Sequence, residues 1–123
     1  MIDLYSDTQS RPTKAMREAI ATAEVGDEQS RTDPTTIQLE EKVAALLGKE
    51  AAVFLPTGTM CNLIAVALHT TPGDVVVMDG MGHILRSETG GAGVVANVMT
   101  DPVDGARGHF TAAQEAERLD RTS

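Results

Sequence analysis

Apolar positions recur at two periods along this chain, and the changes between them mark out its elements. Asp3 to Pro12 is an irregular opening rich in side-chain oxygens. Thr13 is placed to cap a helix from Lys14 to about Ala23, with Ala15, Met16, Ala19 and Ile20 as its apolar stripe. Val25-Gly26-Asp27 ends it, and the polar run Glu28 to Thr32 forms a loop. Asp33 caps a second helix whose first turn holds Pro34, where a missing N–H costs nothing. Ile37, Val43, Ala44 and Leu47 keep helical spacing, and Gly48 supplies a left-handed stop.

Ala51 to Leu55 then reads as a short buried strand, Pro56 to Thr59 as a tight polar turn, and Met60 to Leu68 as a mostly apolar helix. Thr70 to Asp74 closes the helix, and Val75 to Met78 is a second buried strand ending at Asp79-Gly80. Strand, helix and strand in this order predict a right-handed βαβ unit with a parallel pair. Met81 to Glu88 predicts a short helix, broken by Thr89-Gly90-Gly91-Ala92-Gly93, and Val94 to Met99 a third strand. A turn follows through Asp101-Pro102 and Gly105. Thr111 and Gln114 have the spacing of a capping box, which starts a last helix carrying Ala112, Ala113 and Leu119.

Three strands of a mainly parallel sheet are few, and such sheets need both faces covered. The pattern is that of the first part of a larger α/β unit, to be completed by another chain. Residues 1–50 form an N-terminal segment with two helices, and residues 51–123 open the α/β domain.

Composition narrows the chemistry. Of 123 residues 41% are apolar but only 2% aromatic, so Ala, Val, Leu, Ile and six Met must build the core. The formal charge is −8, with Lys and Arg scattered singly, which argues against a nucleic-acid partner. Cys61 has no internal disulfide partner, and no Cys/His cluster has metal-ligand spacing. No apolar run approaches membrane-spanning length, and Met1-Ile2-Asp3-Leu4 lacks a basic leader, so the expectation is a soluble, cytoplasmic protein with no membrane partner.

Thr57-Gly58-Thr59 places two hydroxyls around a glycine where a helix begins. The first amides there have no intrahelical acceptor, the helix dipole adds positive charge, and glycine admits close approach, so the turn suits a phosphate. It equally suits an ordinary N-cap.

In their order these segments resemble the N-terminal third of the threonine aldolase family, pyridoxal-phosphate enzymes grouped with the β-eliminating lyases. The resemblance runs through Ser6-Asp7-Thr8, Arg11-Pro12, Val25-Gly26-Asp27, Asp33-Pro34-Thr35, Gly48-Lys49-Glu50-Ala51-Ala52, Phe54 to Met60 with Asn62, His83, and Glu88 with Gly90-Gly91-Ala92. It implies part of an aspartate-aminotransferase-type (fold-type-I) large domain. It makes Thr57, Gly58 and Thr59 the clamp on the cofactor phosphate. His83, which by its place after a strand end alone would be structural, becomes the imidazole stacked on the pyridine ring and a base for the substrate's β-hydroxyl. Glu88 then orients His83, relays a proton through water, or stands as an exposed helix carboxylate. Ser6 would bind the amino-acid carboxylate. No metal is implied.

Two departures qualify the resemblance. The family's Tyr-Gly pair before the Asp-Pro is replaced by Glu28-Gln29-Ser30-Arg31-Thr32, so either substrate choice differs or Arg31 faces a different acidic group. The family's Schiff-base lysine lies past the matched region, and Lys14, Lys42 and Lys49 match no such site. The expectation is therefore the small subunit of a split lyase, a hetero-oligomer of paired protomers in which a second polypeptide carries the lysine. That enzyme would cleave or form the Cα–Cβ bond of a β-hydroxy-α-amino acid. β-Elimination, transamination, a non-catalytic scaffold role, and a fragment of a full-length aldolase are the alternatives.

Overall fold

The computed structural model describes residues 2–122; Met1 and Ser123, the outer ends of the two expected segments, lie outside the described residues. The chain divides between Phe54 and Leu55 into two compact units.

The first unit holds a short 3-10 helix, Asp7–Gln9, and two α-helices, α1 (Lys14–Thr22) and α2 (Pro34–Leu47). Their starts follow from local chemistry. Thr13 Oγ1 accepts from the Met16 N–H, and Asp33 Oδ1 accepts from the Thr36 N–H at 2.7 Å, with Pro34 in the first turn. Gly48, at φ 61°, ends α2 by returning its N–H to the last carbonyls. Asp33 does a second job: its Oδ2 accepts from the Gly26 N–H at 2.8 Å, which fastens the start of α2 to the end of the preceding segment.

The second unit contains α3 (Gly58–His69), β1 (Val75–Asp79), α4 (His83–Ser87), α5 (Gly91–Val95), β2 (Met99–Val103) and α6 (Ala112–Thr122). β1 and β2 form a parallel pair in register Val75 with Met99 through Asp79 with Val103. The apolar run of β1 is half-buried at every position. Ala92, Ala96 and Val98 form the core here, with Val66, Val76 and Ile84 packed against them. At α6 the expected capping box is present: Thr111 Oγ1 accepts from the Gln114 N–H, and Gln114 Oε1 accepts from the Thr111 N–H. No helix among the described residues is long and apolar enough to cross a membrane.

Three expectations are corrected. Ala51 to Leu55 is not a strand but an irregular extended segment, because no described strand offers it a ladder; Glu40 Oε1 instead accepts the Phe54 N–H at 2.8 Å. The parallel pair therefore does not flank α3; it joins β1 to β2 across α4 and α5. Val94 to Met99 is not the third strand. Its first residues finish α5, where Ala92 and Ala96 lie four apart on the buried face, and Asn97 at φ 55° stops the helix. The strand begins only at Met99 and runs through Asp101-Pro102, where a turn was expected. Pro102 is tolerated because β2 pairs on one side only, so a missing N–H can face away from the ladder.

Candidate active site

β1 ends at Asp79, whose carboxylate organises the exit turn. Its Oδ1 accepts from the Met81 N–H at 2.8 Å and its Oδ2 from the Gly105 N–H at 3.1 Å, joining the ends of the two parallel strands. His83 opens α4 immediately beyond this turn, outside the carboxyl ends of the strands, where open α/β sheets place ligands.

Five residues later, at the end of α4, stands Glu88. It is the buried charged residue of the described core, only 4% exposed, so it is not an exposed helix carboxylate. Its Oε1 lies 2.8 Å from His83 Nδ1 and accepts from Asn62 Nδ2 at 2.6 Å. Its Oε2 is buried with no hydrogen-bond partner among the described residues. The amide of Asn62 and then the imidazole hold the Glu88 carboxyl below its ordinary range, against a desolvation effect of opposite sign. An ionised carboxylate only accepts, so His83 Nδ1 carries the shared hydrogen, and in the neutral ring Nε2 is left as an acceptor. The His83 side chain is 66% exposed while that of Glu88 is fully covered. The pair thus joins a fixed interior anion to an accessible ring.

Asn62 connects this pair to the predicted phosphate turn. It lies four residues after Gly58 on α3, on the same helix face and about 6 Å along the axis. Thr57 is the N-cap of α3, its Oγ1 accepting from the Met60 N–H at 3.1 Å. The helix offers no acceptor to the amides of Gly58 and Thr59. A Cβ built on Gly58 would meet nothing within 4 Å, so the start of α3 is open to an incoming group. Residues 57–59 therefore fit a phosphate: two amides, hydroxyls and the positive end of a twelve-residue helix, with open space above the glycine.

The close approach of α5 to α3 holds the arrangement together. A Cβ on Gly91 would sit 2.7 Å from Leu63 Cδ2, the residue following Asn62, so glycine lets the segment after Glu88 lie against α3. Thr89, between Glu88 and Gly90, adopts φ 52°, unusual for a β-branched residue.

Of the residues singled out in the sequence, Thr57, Gly58, Thr59, His83 and Glu88 all fall in the second unit, tied through Asn62. Asn62 itself was not foreseen as a site residue. Its signal was a polar side chain in an otherwise apolar helix, but its partner is 26 positions away. Ser6 belongs to the first unit, where its Oγ accepts from the Thr8 N–H at 3.3 Å and shares a hydrogen with Thr8 Oγ1. Arg31, at φ 54°, lies 3.4 Å from Glu40 Oε2 and lines a small cavity with Glu28, Asp33, Ile37 and Val53. The acidic group it faces is thus one of this chain's own.

The chain is 45% identical over 106 residues to the low specificity L-threonine aldolase of Escherichia coli (strain K12), covering 86% of this chain and 32% of that protein. It is 48% identical over 98 residues to low-specificity L-threonine aldolase 1 of Arabidopsis thaliana, 79% of this chain and 27% of that one. With the Saccharomyces cerevisiae low specificity L-threonine aldolase it shares 34% identity over 92% of its own length and 30% of the relative's. The chain spans about a third or less of the length of these relatives. A family model for beta-eliminating lyases matches residues 3–123, nearly the whole sequence, and the chain belongs to that family.

Proposed function

We propose that this chain supplies the N-terminal part of a pyridoxal-phosphate-dependent aldolase. Its substrate is a β-hydroxy-α-amino acid, split at Cα–Cβ into glycine and an aldehyde or built in the reverse direction. A second polypeptide completes the fold and carries the Schiff-base lysine, and the completed protomers pair as a hetero-oligomer.

The observation that carries this reading is the Asn62–Glu88–His83 array beside the open start of α3. When bound, pyridoxal phosphate supplies the electron sink for the pair released by the breaking Cα–Cβ bond. The residues of this chain do the rest. The amides of Gly58 and Thr59, with the Thr57 and Thr59 hydroxyls, would hold the phosphate. The exposed His83 ring would lie against the pyridine ring and take the β-hydroxyl proton at Nε2. Glu88 stabilises the imidazolium that results, because its buried charge is already aimed at Nδ1. Ser6 would bind the substrate carboxylate. The relatives named as threonine aldolases support the substrate class.

The test is reconstitution with the polypeptide that carries the lysine, assayed for aldehyde release from threonine and its β-hydroxy analogues. His83→Ala should lower turnover by roughly 10²-fold or more, the usual range for a general base. Thr59→Ala should weaken cofactor retention with less effect on turnover at saturating cofactor. Aldehyde release untouched by His83→Ala would overturn the reading.

A further inference from the structure

We infer that Asn62 is a positioning residue that sets the tautomer of His83 by holding Glu88 as a carboxylate acceptor. The inference rests on three contacts in one place. Asn62 Nδ2 and His83 Nδ1 meet the same oxygen, Glu88 Oε1, at 2.6 and 2.8 Å. The other oxygen is buried and has no partner among the described residues. The carboxyl is therefore covered, and the described residues compensate it on one atom only.

Remove the Asn62 amide and Oε1 keeps a single donor while Oε2 keeps none. Without that amide the carboxylate is no longer fixed toward His83 Nδ1 and can turn away from the ring. The Nδ1–H form then loses the acceptor that favoured it, the ring hydrogen exchanges through solvent onto Nε2, and the exposed nitrogen changes from acceptor to donor with no net proton gained or lost. Asn62 thus decides which tautomer His83 presents, although it lies on another element. Being one turn into α3, it also ties that choice to the helix whose first amides are offered to the phosphate.

The consequence for catalysis rests on His83 being the proton acceptor proposed above; the tautomer itself does not. It is read from the ring ¹⁵N shifts of this chain labelled at histidine, above the titration of the ring, with His83 assigned against His69 and His109 by its loss in His83→Gln. The unsubstituted chain should show His83 mainly as the Nδ1–H form. Asn62→Leu, which keeps volume and helix propensity, and Asn62→Ala should both lower the ratio of Nδ1–H to Nε2–H. The fall should be about tenfold, the size expected for losing one hydrogen bond to a charged group. Dispersed amide spectra certify that a variant is folded, and either variant suffices. Glu88→Gln should shift the ratio as well.

An Nε2–H ring in the unsubstituted chain overturns the inference. So does an unchanged ratio in a folded Asn62 variant when Glu88→Gln shifts it, since Glu88 would then need no help. In the reconstituted enzyme, a shifted tautomer with unchanged turnover leaves the positioning role standing and removes His83 as the acceptor, so the two failures are told apart.

Discussion

At the residue scale, the start of α3 is a helix cap and, in the reading proposed above, would hold a phosphate; substitutions can separate the two. Thr57 caps the helix, and its loss to Ala should lower the stability of the second unit by about 1 kcal/mol, as for other threonine caps. Gly58 is different. Its backbone is not in the left-handed region and a methyl group there meets nothing, so Gly58→Ala should leave stability unchanged or raise it by a few tenths of a kcal/mol. The same methyl group would stand where an approaching phosphate must pass, so cofactor retention in the assembled enzyme should fall. Thermal unfolding of the chain and cofactor titration of the assembly check the two arms. Stability lost with cofactor retention intact would make the glycine structural. The cap at Thr57 was legible because capping is written in adjacent residues. The role of Asn62 was not, because it comes from the Glu88–His83 contact, which forms only when α4 and α5 fold back onto α3.

At the element scale, the caps were readable and the strands were not. Thr13, Asp33, Gly48 and Thr111 each carry a local hydrogen-bonding reason for a helix to begin or end, and the structure uses all four as expected. Strand assignment depends on partners. Val94-Val95 favours a strand by composition, yet the buried spacing of Ala92 and Ala96 and the tight fit of Gly91 on Leu63 make it helical. Ala51 to Leu55 has strand composition without a described partner.

Asp33 yields a prediction at this scale. The amides of Thr36 and then Gly26 hold its carboxyl below the ordinary value of 3.8. A depressed folded-state pKa contributes stability above about 3.8, and that contribution is lost as pH falls through the lower folded value. Asp27, Asp74 and Glu88 are shifted in the same direction and share the sign. Asp33→Asn keeps a capping side chain but removes the proton uptake, so its acid unfolding curve should be shallower than that of the unsubstituted chain. Unfolding against pH between 2 and 6 or so checks this; superimposable acid limbs would refute it. Gly26 can be tested beside it. A Cβ there would fall against the Thr32 carbonyl, so Gly26→Ala must shift backbone and should cost more than the ordinary surface substitution's roughly 0.5 kcal/mol.

At the scale of the whole molecule, the surface is the fact to explain. The buried hydrophobic residues are small, chiefly Ala44, Ala92, Ala96, Val98 and Val103, while Leu68 is 76% and Val94 80% exposed. Parallel strands need cover on both faces, and β1 remains half-exposed throughout. Each large apolar side chain left in water forgoes roughly 1.5–3 kcal/mol of burial. In the reading proposed above, the completing polypeptide would cover these side chains. Leu68→Lys and Val94→Lys separate an interface from an idle surface. Both side chains already face water, so each substitution should change this chain's own stability by no more than about 0.5 kcal/mol. If the completing polypeptide covers them, each should weaken assembly by tenfold or more, since a charge must then be buried without a partner. Native mass and cofactor absorbance of the reconstituted mixture, measured across a concentration series, read the assembly directly. Assembly that tolerates both lysines would place the covering surface elsewhere, on β1 and the exposed apolar residues of α1 and α2.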